Sequence, residues 1–356
     1  MKKVISVISS LILSASLLAG CGASSAPAPT TAAAPETQAP ETQAPAASYS
    51  IAIVQQLSHS SLDEIRTAVA AELKARADAA GIELTVSEYN GQNDPTMLGQ
   101  IGAQVMDNKV DMIIPIATLA AQTMVTTAEG TDTPIVFAAC SDPVTAGLTG
   151  LDKVTGTSDA LNTPFILDMM LAVNPDVKTV GLLFSNSEDN STTAIAEAKA
   201  YLDSKGISYL EKTGNTTDEI VAAAASLVGR VDAVFTPTDN AVMAAETAVA
   251  EILNDAGIPH YTGADSFALN GAFRGYGVDY ANLGVETANM VADILLNGAD
   301  PATMAVKTFD NGTATINTEI CTELGYDYDT VAKAFKPYCT KINTITTAES
   351  FSDVQQ

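Results

Sequence analysis

The sequence predicts a bilobal α/β protein, each lobe a parallel sheet covered by helices on both faces. Two observations carry this. Short, fully apolar runs such as Met112–Ile116 alternate with amphipathic helical segments, the pattern of strands buried on both faces. The alternation restarts after Pro164, and a folded segment of about 300 residues exceeds what one core ordinarily serves.

The elements follow in chain order. Residues 50–54 form a β-rich run, and residues 61–80 a helix with Leu62, Ile65, Val69 and Leu73 on one face. Ser61 with Glu64 reads as a capping box that starts it, and Gly81 as its stop. A strand at 82–87 precedes a helix opened by Asp94-Pro95 that carries Leu98, Ile101 and Val105. After the strand Met112–Ile116, Thr118 is expected to cap a helix to Glu129, and 135–138 is another buried strand. Beyond Pro164 the expected order is helix 164–173, strand 179–184, helix 191–205, strand 207–210, helix 218–228, strand 233–236, helix 241–256 and strand 258–261.

The first twenty residues stand apart. Lys2 and Lys3 precede an apolar run from Val4 to Gly20, the form of a secretory signal. The run is marginal for a membrane span, which needs about 20 residues. A tether rich in Pro, Ala and Thr follows to residue 48, with Glu-Thr-Gln-Ala-Pro twice, at 36–40 and 41–45. It has too little apolar surface to pack, so it is expected to be disordered and extended.

Charge removes several function classes. Lys+Arg number 17 against 42 Asp+Glu, a net −25, and residues 49–356 retain all of it. Nucleic acid and anionic headgroups both require a basic face. Two histidines leave little room for a His-rich metal site. No phosphate-binding glycine loop, H-E-x-x-H, C-x-x-C or nucleophile elbow is present, so binding is expected rather than catalysis, with no cofactor and no metal.

In a parallel α/β sheet ligands bind beyond the carboxyl ends of the strands, against helix N-termini. Five polar turns fall there: Gln55 to Ser60, with Ser58 and His59; Ala117-Thr118; Cys140 to Pro143, with Asp142; Asn186 to Ser191, with Ser187 and Asn190; and Thr236 to Asn240, with Asp239. Each is equally explained by helix capping. Five of them on one edge favour a binding cleft. Cys140, Cys321 and Cys339 remain if Cys21 is consumed; Cys321 and Cys339 could pair, stabilising the C-terminal stretch by up to ~3 kcal/mol, or all three could be free thiols.

Several segments together carry a family resemblance. They are Ile51 to Gln55, Asp94-Pro95, Ile116 to Gln122, Pro134 to Ala138, Ser141 to Leu148, Val154 to Asp159, Pro237 to Asn240, and Gly277 to Tyr280 with Leu283-Gly284. Over roughly residues 50–325 the sequence resembles substrate-binding lipoproteins of ABC importers of the tryptophan/tyrosine type. Leu18-Ala-Gly-Cys21 likewise resembles a bacterial lipoprotein signal, with Cys21 the lipidated residue; a secreted protein with an incidental Cys21 is the other reading.

The resemblance implies the type I periplasmic-binding-protein fold of two Rossmann-like lobes, lobe 1 at 49–160 and 280–304, lobe 2 at 161–279 and 305–325, and a C-terminal extension at 326–356. It implies a pocket of Gln55, Ser58, His59, Ser60, Thr118 and Asp142 facing Ser187, Asn190, Ser191, Asp239 and Asn240, with Asp265 and Asp279 nearer the hinge. A zwitterionic ligand would place its carboxylate at the helix N-termini by Thr118 or Ser187–Ser191 and its ammonium on Asp239. The expected protein is a monomer, held by lipid on the outer face of the cytoplasmic membrane, that captures an amino acid and delivers it to an ABC permease. An extracytoplasmic sensor signalling to a membrane receptor is the alternative.

Overall fold

The computed structural model describes residues 47–309 and 312–354; the expected signal, Cys21 and all but the last two residues of the tether lie outside the described residues. The first lobe is built on a parallel sheet of β1 (Ser48–Gln55), β2 (Glu83–Asn90), β3 (Met112–Ile116), β4 (Ile135–Phe137) and β5 (Val154–Gly156), in the order β2-β1-β3-β4-β5. Ile53, fully buried, lies between Glu88 and Ile114 in register. Between these strands run α1 (Ser60–Ala80), α2 (Pro95–Asp107) and α3 (Thr118–Thr127).

The second lobe holds α4 (Thr163–Val173), β6 (Thr179–Phe184), α5 (Asn190–Lys205), β7 (Ser208–Thr213), α6 (Thr217–Ala225), β8 (Ala233–Thr236), α7 (Asn240–Asp255), β9 (His260–Thr262), α8 (Asp265–Leu269) and β10 (Arg274–Gly277). The chain then returns along α9 (Tyr280–Asn297), which packs on α1 of the first lobe. A Cβ at Gly284 would stand 2.7 Å from Ile65 O, so the bare glycine is what lets the two helix backbones approach. A last crossing leads to β11 (Thr313–Asn317), α10 (Thr318–Glu323), α11 (Tyr328–Phe335) and β12 (Lys341–Ile345).

The second sheet runs β12-β11-β10-β9-β8-β6-β7, parallel except where β11 meets β10. The expected C-terminal extension is thus corrected. Residues 326–354 supply an edge strand, and Val331 and Phe335 of α11 are buried in the second lobe's core.

Three local expectations also change. The capping box at Ser61 does not form: α1 begins at Ser60 with His59 as its cap residue, and Ser61 Oγ donates to Ser266 Oγ at 2.6 Å. Thr118 is not the cap of α3, because Ala117 takes that position and Thr118 Oγ1 pairs with Cys140 Sγ at 3.4 Å. Cys321 and Cys339 are free thiols, each bonded to a backbone carbonyl, Tyr326 O and Phe335 O respectively.

Candidate ligand-binding site

Both sheets change direction at their first strand, between β1 and β3 and between β6 and β8, and at such switch points the following loops part to leave a crevice. The two crevices face each other across a closed cleft. Gln56 Nε2 donates to Glu188 Oε1 at 3.1 Å, His59 Nε2 pairs with Asn240 Oδ1 at 3.0 Å, Ser141 Oγ with Thr238 Oγ1 at 3.0 Å, and Gln122 Nε2 donates to Asp189 Oδ2 at 2.9 Å. Thr193 Oγ1 donates to Asp142 Oδ2 at 2.6 Å on the outer rim.

Inside these contacts lies a narrow chamber with about 20 Å³ of free space, room for roughly one water, so the side chains on its wall must part to admit a small molecule. Of the sequence-predicted residues, His59, Thr118, Asn190, Asp239 and Asn240 line it. The others are placed elsewhere. Gln55 Nε2 is spent on Leu57 O and Asp63, Ser191 Oγ donates to Asp239, and Ser187 Oγ pairs with Ser185 Oγ. Ser58 and Ser60 face an outer groove, and Asp142 ties down Thr145 on the rim. Asp265 lies in a separate pocket at the hinge, and Asp279 caps α9 through Asn282 N.

Asp239, expected to hold a ligand ammonium, is corrected to a structural cap. It is fully buried, and its carboxylate already accepts from Val242 N at 3.0 Å, Ser185 N at 2.7 Å and Ser191 Oγ at 2.7 Å. Those donors tie α7 to the β6–α5 turn. Burial and the charge of Asp239 push the neighbouring Glu188 carboxyl up, against the donors supplied by Asn240.

The acceptor left for a cation is Asp159, which follows the short strand β5. It lines the chamber at 5% exposure, and takes Ser141 Oγ at 2.9 Å on one oxygen and Tyr280 Oη at 3.1 Å on the other. Burial raises its pKa, with the two hydroxyl donors opposing, so a bound ammonium would stabilise its charge. The sequence signal for it existed in Val154 to Asp159, but nothing local set that acid apart from a turn residue.

For an anion the chamber offers the N-terminus of α3, whose cap residue Ala117 has no side-chain oxygen to accept the first-turn N–H groups. Leu119 N is held by Gln56 Oε1 at 3.2 Å. The turn is strained: Ala117 has φ 76° and ψ 161°, and Ala139, also on the wall, has φ 53°. Such conformations persist in non-glycine residues where the surroundings impose them, as at ligand clamps. The apolar wall comes from Leu62, Met243 and Phe267, none of which lies in the polar turns. His59 is kept neutral, its pKa lowered by burial despite the hydrogen bond to Asn240 and the nearby Asp63.

Several known proteins resemble this chain over most of its length. A tyrosine-binding protein from Clostridioides difficile (strain R20291) is 28% identical over 321 residues, 89% of this chain and 90% of that protein. The ABC domain from Streptococcus pneumonia in complex with L-Trp is 28% identical and superposes with a TM-score of 0.75, covering 83% of this chain and 100% of that one. The ligand-free, open structure of a substrate binding protein with adhesive properties from Clostridium difficile is 30% identical, covers 84% and 100%, and has a TM-score of 0.62. At similar identity the TM-score is higher for the complex with L-Trp than for the ligand-free, open structure. These neighbours share the type I periplasmic-binding-protein fold, and the pattern for ABC transporter substrate binding proteins matches residues 50–334, so this chain belongs to that family of solute-binding proteins, which bind their ligands without turning them over.

Proposed function

We propose that the chamber captures an aromatic L-amino acid of the tryptophan or tyrosine class, by closure of the two lobes, and presents it to an ABC importer's permease. The observation that carries this reading is Asp159, a buried carboxylate on the wall of a chamber that also takes in the N-terminus of α3. An α-amino acid needs one anionic and one N–H-rich partner side by side, which a sugar does not. Thr118 and Asp159 follow β3 and β5 of the same sheet, and both line the chamber, which supports a shared grip on the amino-acid head. Leu62, Met243 and Phe267 add apolar lining, which suits a ring.

The protein is held outside the cytoplasmic membrane by lipid on Cys21, since its acidic surface would be repelled by anionic headgroups. Calorimetry with L-tryptophan, L-tyrosine, L-phenylalanine and a neutral hexose tests the ligand class. Asp159→Asn is expected to weaken amino-acid binding by roughly 100-fold, the scale of a charge-assisted bond lost in a dry site; of Ser141 and Tyr280, one hydroxyl keeps an oxygen to donate to and the other turns to accept from the new amide nitrogen. Tight hexose binding, or unchanged amino-acid affinity in the variant, would overturn the reading. Cys21→Ser should release the protein from membranes without altering affinity.

A further inference from the structure

His59 is oriented by a chain of hydrogen bonds that crosses the cleft twice. Glu188 Oε2 accepts both Asn240 N at 3.0 Å and Asn240 Nδ2 at 2.8 Å. With Oε2 accepting the backbone N–H, the Asn240 amide is best satisfied with its nitrogen on Glu188 and its oxygen toward His59. Glu188 is itself fixed from the first lobe, because Gln56 Oε1 accepts Leu119 N and Gln56 Nε2 therefore points at Glu188.

Asn240 Oδ1 can only accept, so His59 carries its proton on Nε2. The ring being neutral, Nδ1 is a bare acceptor. It is out of solvent contact and has no partner in the protein, although His59 lines the chamber. A buried acceptor left unpaired is costly, and a donor from the ligand would satisfy it.

Which donor follows from the strand order. Asp159 and Thr118 hold the amino-acid head beyond β5 and β3, whereas His59 follows β1, beside Leu62 and across from Met243. Resting on the aromatic amino-acid reading above, we infer that His59 is a specificity-determining residue, whose Nδ1 accepts the polar hydrogen of the ligand's ring, an indole N–H or a phenol O–H. Lobe closure sets its tautomer, because Asn240 and Glu188 belong to the second lobe. The closed protein therefore selects rings that bear a donor over purely hydrocarbon ones.

The test is a ligand comparison by calorimetry: L-tryptophan against its indole-N-methyl analogue, and L-tyrosine against L-phenylalanine, in wild-type protein and in His59→Phe and His59→Gln. For the pair that contains the tighter ligand, wild type is expected to lose roughly 10- to 100-fold when the donor is removed, the cost of leaving a buried acceptor unpaired. In His59→Phe that ratio should collapse toward one, and His59→Gln, with a carbonyl acceptor, should restore part of it. A purely structural histidine would shift both members of a pair equally. Equal wild-type affinity for both members, or a ratio that survives His59→Phe, overturns the inference while leaving the aromatic amino-acid reading intact. Failure of wild type to bind any of the four overturns the ligand class, and the inference with it. If His59→Phe does not fold, the wild-type ratio and His59→Gln still decide.

Discussion

Gln56 of the first lobe and Glu188 of the second meet at 3.1 Å, and that bond is out of reach of solvent. Glu188 also accepts twice from Asn240, so the contact that closes the cleft and the one that orders α7 share a single carboxylate. Glu188→Gln replaces one acceptor by a donor, which must then face either Gln56 Nε2 or Asn240. The variant is expected to bind its ligand about tenfold more weakly, through faster release, since a lost buried hydrogen bond costs about 1–3 kcal/mol. Stopped-flow dissociation rates check this, and an unchanged off-rate would refute the closing role.

A second prediction concerns the hinge. Glu64 of α1 and Asp265 of α8 line one pocket, with Asp279 and Tyr280 close by at the start of α9. Burial first, then the charges of Asp265 and Asp279, push Glu64 up to about 7, and burial with the Asp279 charge pushes Asp265 to about 6. Both values lie above those of the unfolded chain, so the stability these groups contribute is full below the unfolded pKa and is lost as pH rises through 6 and 7. Melting temperature should therefore rise on going from about pH 8 down to pH 6.5. Below 6.5 the buried neutral His59, with its lowered pKa, works in the opposite direction. Glu64→Gln should be more stable than wild type at the upper end and flatten the slope. A wild-type curve with the opposite slope would show that the hinge acids are not repelling one another.

The parts of the molecule that could be read from sequence, and those that could not, differ in the range of the interactions involved. Strands such as Met112–Ile116 announce themselves because both faces are buried and every residue is apolar. β10, β11 and β12 carry Arg274, Thr313 and Lys341 among glycine, threonine and asparagine, and become strands only through the neighbours they pair with. The same holds in the site. The turns after β1, β3, β6 and β8 are visible as polar residues at strand ends. Asp159 is set apart by Tyr280, 121 residues away, and the ring wall by Phe267 of a short helix, and no local spacing encodes either. Asp239 was conspicuous in sequence for the reason it caps α7, and that use leaves little of it for a ligand.

Arg274 sets up a third prediction. It is fully buried with no carboxylate among its partners; Nη2 donates to Ile166 O at 3.3 Å, and the faces of Tyr261, Tyr276 and Phe335 lie 5.2, 5.6 and 5.6 Å from its guanidinium carbon. Burial lowers its pKa to about 10, so it is charged at neutral pH. Cation–π attraction from three rings offsets a desolvation cost that no anion relieves. Removing the charge strands no opposite charge, so Arg274→Met should change unfolding free energy by less than about 1.5 kcal/mol. Arg274→Ala, which also leaves a cavity among the rings, should cost about 3–5 kcal/mol. Urea unfolding of both separates packing from charge, and equal losses would show that the charge itself is required.

The thiols supply a fourth. With Cys140, Cys321 and Cys339 all free, denatured protein spanning residues 47–354 should react with three equivalents of an alkylating reagent without prior reduction. A reductant should leave the melting temperature where it was, whereas a bridge between Cys321 and Cys339 would have contributed about 3 kcal/mol. One equivalent before reduction and three after would establish the bridge.

Strain at the chamber wall supplies the last prediction. Ala117 N donates to Ala138 O and Ala117 O accepts from Ala121 N, both at 3.0 Å, so β4 and α3 hold the residue at φ 76° from either side. That region is essentially reserved for glycine and costs an alanine about 1–3 kcal/mol. Ala117→Gly removes the Cβ conflict but gives the unfolded chain more freedom, worth about 0.5–1 kcal/mol in the other direction. The net expectation is a stabilisation of roughly 1 kcal/mol in urea unfolding, the difference between those two costs. Ala117→Val puts a β-branched side chain at the same angle and should destabilise strongly. Because α3 keeps its N–H groups on the chamber in the glycine variant, amino-acid affinity should stay within a few-fold of wild type. A glycine variant less stable than wild type would mean that the turn is relaxed, and that the orientation of α3 is imposed by something other than these two hydrogen bonds.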